Sequence, residues 1–356
     1  MSSQIGVGVI GVGILGSRHA RVYQEQEATN LVAVADKNPT KGGELAAKLG
    51  VKFFGNYSEL IQTLGPKGSG QLQAVSVATP DHAHYDIVKE CLLGGLDVFV
   101  EKPLTLSLDE ARSLIALAEK ESRVLTVNYS QRWLPEHRRV EELLRSGAVG
   151  PVAFVESHRW DAAWVPQRMI SWGAETTPIY FMSSHDIDLI TYWLDDKVVT
   201  VQAMLQKGIL SAASGKSDFV DGIVALLRFS RGTVVSLHSS WILPNAFPLA
   251  ADTYLEIHGR DAAIFLGGST REFRLFKNDT AEKNVYSGPA TATEVQGRLE
   301  GAFVQSLLTF VEASRNRQLQ GPTSAACTAH VVQVQEAIMR SARTSTTVHL
   351  TGETRP

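Results

Sequence analysis

Cysteine is nearly absent from this chain: Cys91 and Cys327 are the only two among 356 residues, far apart and outside any Cys-x-x-Cys pair. That excludes a disulfide framework and a cysteine-rich zinc site, so no metal is expected, and it fits a reducing cytoplasm. No run of about 18 uncharged apolar residues occurs, so neither a membrane span nor a membrane partner is expected. The apolar N-terminal stretch lacks the basic residues of a signal peptide and is broken by glycines. An excess of one charge sign is missing too. The 34 Lys and Arg nearly balance 37 Asp and Glu, for a formal net charge of −3, without a basic tail or stripe, which argues against nucleic acid as a partner.

Glycine, in contrast, is concentrated where it carries meaning. An apolar run from Ile5 to Ile10 leads into Gly11-x-Gly13-x-x-Gly16, and a helix-like segment follows from Ser17 to Glu27. A second apolar run ends at Asp36, about 20 residues past the last glycine, as a dinucleotide fingerprint requires. Gly11 permits the tight strand-to-helix turn, Gly13 lets backbone approach a pyrophosphate, and Gly16 lets helix and sheet pack closely. The amides at Ile14 and Leu15 open the helix and face the phosphate charge. Asp36 can accept both ribose hydroxyls of NAD and would repel the 2′-phosphate of NADP. Lys37 either binds such a phosphate or is a solvated loop cation, so NAD is the expected cofactor and NADP stays open.

At this length two domains with full cores are expected. Up to residue 127, short apolar runs (Ile5–Ile10, Leu31–Ala35, Ala74–Ala78, Asp97–Val100, Val124–Val127) alternate with helical patterns such as Ser107–Glu121. That pattern predicts a doubly wound parallel sheet, a Rossmann domain over 1–127. Gly65-Pro-Lys-Gly-Ser-Gly70 reads as a loop insertion. From 128 to 356 the strand-like runs become β-branched and alternating (Val152–Arg159, Val198–Leu205, Val220–Phe229, Thr233–Ser240, Thr253–His258), followed by helices Leu299–Ser314 and Ser324–Arg343. The expectation there is an α/β domain with a largely antiparallel, open-faced sheet that binds substrate and builds a homodimer or homotetramer.

The fourth strand ends in Ala78-Thr-Pro-Asp-His-Ala-His84 and the fifth in Val100-Glu-Lys-Pro103. Both would lie at the carboxyl edge of the sheet, where the ligand crevice of such folds forms, and this puts Lys102 beside the cofactor. Proline after Lys102 removes a donor and invites a cis bond. With Thr79, Pro80 and His84, Glu101-Lys-Pro103, Tyr129-x-x-Arg132-x-x-Pro135 and His185-x-x-Asp188, the chain resembles the glucose–fructose oxidoreductase/inositol dehydrogenase (Gfo/Idh/MocA) family over nearly its whole length. The Glu-Lys-Pro motif is the most specific of these signals. The resemblance implies hydride transfer between NAD(P) and a secondary alcohol of a sugar, cyclitol or related polyol, with Thr79, Pro80, His84, Glu101 and Lys102 lining the cofactor. It implies that Lys102 stabilises the charge developing on the reacting oxygen, and that His185 is the acid/base at the substrate hydroxyl. Tyr129 and Arg132 would meet substrate, while Asp188 would either meet it or stabilise its own helix N-terminus.

One position departs from the family pattern. Many members carry an aspartate four residues before the histidine, and here that residue is Phe181. Either Lys102 and His185 suffice, or Tyr180, Asp186 or Asp161 replaces the acid, or dehydrogenase activity is lost. Alternatives on the same scaffold are therefore an epimerase or glycoside-cleaving enzyme with retained NAD, or a dinucleotide-binding regulator. Five of six tryptophans fall between Trp133 and Trp193. Trp164 and Trp172 flank Val165-Pro-Gln-Arg168 and are expected to face the apolar side of a sugar or cyclitol ring.

Overall fold

A computed structural model describes residues 4–170, 172–214, 219–247, 249–267, 272–277, 280–285, 293–321 and 324–350. The chain divides into two compact units: Met1–Trp133 with Pro289–Val332, and Leu134–Gly288 with Gln333–Pro356. A segment from the last third of the chain thus clusters with the first unit.

The first unit is built on a six-stranded parallel sheet: β1 (Ile5–Ile10), β2 (Thr29–Ala35), β3 (Lys52–Phe54), β4 (Ala74–Val77), β5 (Asp97–Val100) and β6 (Leu125–Val127). The order is β3-β2-β1-β4-β5-β6, so the sequence of strands reverses between β1 and β4. Every residue of β1, β4, β5 and β6 is buried. These short strands therefore read as continuous apolar runs rather than alternating ones. Helices α1 (Ile14–Glu25), α2 (Pro39–Leu49), α3 (Tyr57–Leu64), α4 (His84–Leu93) and α5 (Leu108–Lys120) connect them. α5 buries Ala111, Leu114 and Ala118 at helical spacing. α2 is capped by the Asn38 side chain, which accepts from the Lys41 amide, and ends at the left-handed Gly50.

The returning segment contributes the helix Ala302–Arg315. Its Phe303, Val304, Leu307, Phe310 and Val311 join Val7, Val9, Val22 and Phe99 in one core. At its far end Ser314 and Arg317 both donate to the buried Asp97 carboxylate at the start of β5, at 2.5 and 2.8 Å. The helix thus does for the sheet what a sixth crossover helix would, and this is the physical reason for the discontinuous unit.

The second unit contains β7 (Val152–Ala162), β8 (Val198–Lys207), β9 (Val220–Phe229), β10 (Val234–Leu243), β11 (Ala251–Gly259), β12 (Ala262–Leu266), β13 (Glu272–Lys277) and β14 (Ala281–Val285). They form one sheet ordered β14-β13-β12-β11-β7-β10-β9-β8, with Val348–His349 beside β8. Among the described residues, only the β10–β7 pair of this sheet is parallel. β9 alternates: Ile223, Ala225, Leu227 and Phe229 face the core, while Val224, Leu226 and Arg228 are exposed. Helices α6 (Pro135–Arg145) and α7 (Ser184–Leu194) also belong to this unit. On the C-terminal helix, Gln335 donates to the Ile179 carbonyl at 2.9 Å, and Ser341 accepts from the Ala203 amide of β8 at 2.9 Å.

Candidate active site

In a doubly wound sheet the ends of β1 and β4 flank the crevice where strand order reverses. Gly11 follows β1 with φ of +85°, and a Cβ there would stand 2.7 Å from the Ala78 carbonyl oxygen. At Gly16 a Cβ would meet the Gly11 carbonyl oxygen at 1.8 Å, so only glycine lets α1 start so close to the strand end. Gly13 is different: nothing lies within 4 Å of a Cβ built on it. Gly13 at the N-cap of α1 offers no side-chain cap, no acid sits in the helix's first turn, and Ile14 and Leu15 are 54% and 37% exposed. Uncapped amides and an open glycine leave a bare, electropositive turn suited to an anion.

Asp36, just past β2, is half-buried, and its two oxygens are already engaged. Val12 donates its amide to Oδ2 at 2.8 Å, and Asn38 donates to Oδ1 at 2.7 Å. The carboxylate is therefore fixed against the glycine turn, with lone pairs left on both oxygens. Lys37 is exposed. Thr79, after β4, has a buried Oγ1 with no hydrogen-bond partner among the described residues. An orphaned hydroxyl at this edge, the bare turn and the fixed acid together fit a bound dinucleotide.

His84 points inward. Its Nδ1 lies 2.8 Å from the Pro103 carbonyl and its Nε2 lies 3.0 Å from the Thr79 carbonyl, so it ties the turn after β4 to the turn after β5. Burial pushes its pKa below the usual imidazole value, against the pull of those two carbonyls. Lys102 is half-buried and joined to Pro103 by a cis peptide. Glu101 is buried and accepts from Asn128 Nδ2 at 2.7 Å, with His19 Nε2 at 2.9 Å from the same oxygen. The glycines, Asp36, Thr79, Pro80, His84, Glu101 and Lys102 thus follow the ends of parallel strands at one sheet edge. Tyr129 and Arg132 follow β6 and are both buried, in a turn packed on the helix Ala302–Arg315.

The second unit holds the other expected residues. His185 lies in the first turn of α7 and is half-buried. The Ser183 side chain does not cap that helix; its hydroxyl meets Ser239 instead, and the buried Ser184 hydroxyl has no hydrogen-bond partner among the described residues. Asp186 is held by both arms of Arg159, at 2.7 and 2.8 Å, with both side chains buried. The Asp186 charge, helped by Asp161, outweighs the desolvation that would lower the Arg159 pKa and keeps it raised. An aspartate locked in a bidentate pair is poorly suited to replace a missing acid. Asp188 is buried and Tyr180 half-buried. Phe181 packs with Trp172 around Ile170, Met182, Leu210, Phe219 and Trp241, its ring 6.2 Å from that of Trp241. Trp172 is therefore partly in this apolar cluster, with its buried Nε1 unpartnered among the described residues. Trp164 is half-buried and precedes a single wide helical turn, Val165–Met169, rather than an irregular loop.

Sequence reasoning missed His19, Ser76, Asn128 and Arg159. A serine inside the otherwise apolar β4, and a histidine three residues past the last glycine, were the available signals.

An inositol 2-dehydrogenase of Rubrobacter xylanophilus is 34% identical over 203 residues, 56% of this chain and 55% of that protein, so the match spans little more than half of the relative. A UDP-N-acetylglucosamine 3-dehydrogenase of Acidithiobacillus ferrooxidans is 28% identical over 236 residues, 66% of this chain and 67% of that one. The crystal structure of myo-inositol 2-dehydrogenase from Lactobacillus plantarum shares the fold with a TM-score of 0.79 at 18% identity, covering 98% of this chain and 100% of the other. Residues 5–129 match an oxidoreductase family with an NAD-binding Rossmann fold, and 137–265 match its C-terminal domain. With the glycine turn, Asp36 and the Glu-Lys-Pro motif placed at one edge of a Rossmann sheet, the chain belongs to the GFO/IDH/MocA oxidoreductase family.

Proposed function

We propose that this protein is an NAD-dependent dehydrogenase of a secondary alcohol on a cyclitol or sugar. The observation that carries the reading is the sheet edge where the bare glycine turn, Asp36, the orphaned Thr79 hydroxyl and Lys102 converge. Similarity to an inositol 2-dehydrogenase and a UDP-N-acetylglucosamine 3-dehydrogenase supports the substrate class.

When bound, NAD supplies the acceptor for the hydride that leaves the carbinol carbon. Gly13 and the first amides of α1 would hold its pyrophosphate, and the free lone pairs of Asp36 its ribose hydroxyls. Lys102 would donate to the substrate oxygen and stabilise the charge that grows there as the carbon–hydrogen bond breaks. His185 would take the hydroxyl proton, leaving a carbonyl product. Phe181 in an apolar cluster and Asp186 paired with Arg159 both support a reading in which Lys102 and His185 handle the proton, with Tyr180 and Asp161 the replacements still to be tested.

Purified protein incubated with NAD and a panel of inositols, free sugars and nucleotide sugars tests this. Net NADH with at least one cyclitol or sugar, together with its ketone, is the expected result. NAD binding without turnover on any member, or product without net NADH, would contradict it.

A further inference from the structure

His84 opens α4, is buried, and turns both ring nitrogens to backbone carbonyls: Nδ1 lies 2.8 Å from the Pro103 oxygen and Nε2 3.0 Å from the Thr79 oxygen. A carbonyl oxygen only accepts. An imidazolium can donate to both, whereas a neutral ring has one N–H and must turn a lone pair on the other oxygen. The two contacts are not equivalent. The Pro103 bond is buried, and the Thr79 bond is only partly so. Leaving the Pro103 carbonyl unsatisfied is therefore the costlier choice, while water can take over at Thr79. The neutral ring keeps Nδ1–H on Pro103 and gives up Thr79.

Thr79 is where this choice matters. A Cβ built on Gly11 would stand 2.9 Å from Thr79 Cγ2, so the Thr79 side chain lies against the glycine turn. Its Oγ1 is buried without a hydrogen-bond partner among the described residues, which fits a hydroxyl that meets a ligand. A bond on the Thr79 carbonyl thus fixes the residue that offers this hydroxyl at the cofactor edge.

We propose that His84 is a proton-dependent positioning residue: as a cation it joins Thr79 to Pro103 and holds the Thr79 hydroxyl for NAD, and as a neutral ring it lets Thr79 go. The inference rests on reading this edge as the NAD site. The charged groups that act on the ring are Asp81, in the turn before α4, and Glu101, after β5, and both favour the cation. Asp81 also accepts from the His82 amide at 3.0 Å. Glu101 is held from behind by His19, whose Nδ1 meets Ser76 Oγ at 2.6 Å, and it feels the charge of Lys102. On the helices packed against α4, Tyr57 of α3 and Glu110 of α5 feel the charge of Asp86. Burial opposes the His84 cation and places the change below the ordinary imidazole range. NAD should therefore bind more tightly as pH falls through that change.

Calorimetric Kd values for NAD at about pH 5.5 and about pH 8, on either side of an ordinary imidazole, test this without turnover. Wild type should bind about threefold or more tightly at the lower pH, the worth of about one hydrogen bond. His84→Gln, which keeps a donor toward Thr79 and cannot take a proton, should bind alike at both. Thr79→Val, which keeps the methyl packing and loses the hydroxyl, should bind more weakly than wild type and with less pH dependence. Wild-type affinity that is equal at the two pH values, or the full wild-type dependence in either variant, overturns the inference. Should His84→Gln fail to fold, wild type and Thr79→Val decide alone. Failure to bind NAD at either pH would instead sink the reading of this edge as the cofactor site. Nitrogen-15 NMR of the cofactor-free protein then decides: the second ring nitrogen of His84 should gain its proton between the two pH values, and a ring with one bare nitrogen throughout overturns the inference.

Discussion

Asp36 does two things at once. Its oxygens hold the Val12 amide of the glycine turn and the Asn38 amide of its own loop, at 2.8 and 2.7 Å, and in the proposed cofactor site its charge would repel a 2′-phosphate. Asp36→Ser should therefore lower the ratio of kcat/KM with NAD to that with NADP by about tenfold, equivalent to about 1.4 kcal/mol. It should also weaken NAD itself, because the turn loses an anchor. Wild-type protein that already prefers NADP would show that Lys37 or Asn38 governs the choice. At Phe181 the ring lies against Trp172 and near Trp241, so Phe181→Asp buries a charge in an apolar cluster and should cost about 1–3 kcal/mol of stability without raising turnover. Increased turnover in that variant would mean an acid is needed there after all. Glu101 makes a pH-dependent contribution. Its native pKa lies below the ordinary 4.5, so its stabilisation is fully present above about pH 4.5 and lost as pH falls through the lower native value. Urea unfolding at pH 7 and at pH 3 should show the gap between wild type and Glu101→Gln shrinking in acid. An unchanged gap would contradict the charged, clamped state.

At the scale of elements, the helix Ala302–Arg315 is the least expected part of the first unit. Phe310 is wholly buried and its ring lies 5.4 Å from that of Phe99 on β5. Phe310→Ala should destabilise the first unit by about 3–5 kcal/mol, read as loss of denaturation midpoint. A loss under about 1 kcal/mol would mean that the helix is not an integral layer of the sheet. The helix itself was legible as an amphipathic repeat, but its partner was not, because periodicity marks an apolar face and says nothing of which distant strand covers it. The parallel strands, the glycine turn and the carboxyl-edge motifs were legible because each carries a local pattern that chemistry restricts to few residues. β12, β13 and β14 escaped notice because Ala262–Leu266 is short and Glu272–Lys277 mixes charges into its alternation. The Arg159–Asp186 pair and the His19–Glu101 contact join residues 27 and 82 positions apart. No spacing in the chain announces such pairs.

At the scale of the whole molecule, the second unit's sheet leaves a face with Phe154, Met204, Val224 and Leu226 exposed, Met204 by 75%. Met204, Val224 and Leu226 lie on the adjacent strands β8 and β9, and exposed large apolar residues so placed favour closed symmetric association, so a homodimer or homotetramer is the expected state. Light scattering at micromolar concentration should give at least twice the chain mass, and Leu226→Arg should lower it. A monomeric wild type would contradict that expectation. The account as a whole depends on Lys102 acting in chemistry while the glycine turn and Asp36 hold the cofactor. The most direct test is to measure, on the best substrate, kcat and the Kd for NAD in wild type and Lys102→Ala side by side. The account predicts a fall in kcat of about a hundredfold or more, with the Kd for NAD changed by no more than about twofold. Near-native turnover in Lys102→Ala would contradict it.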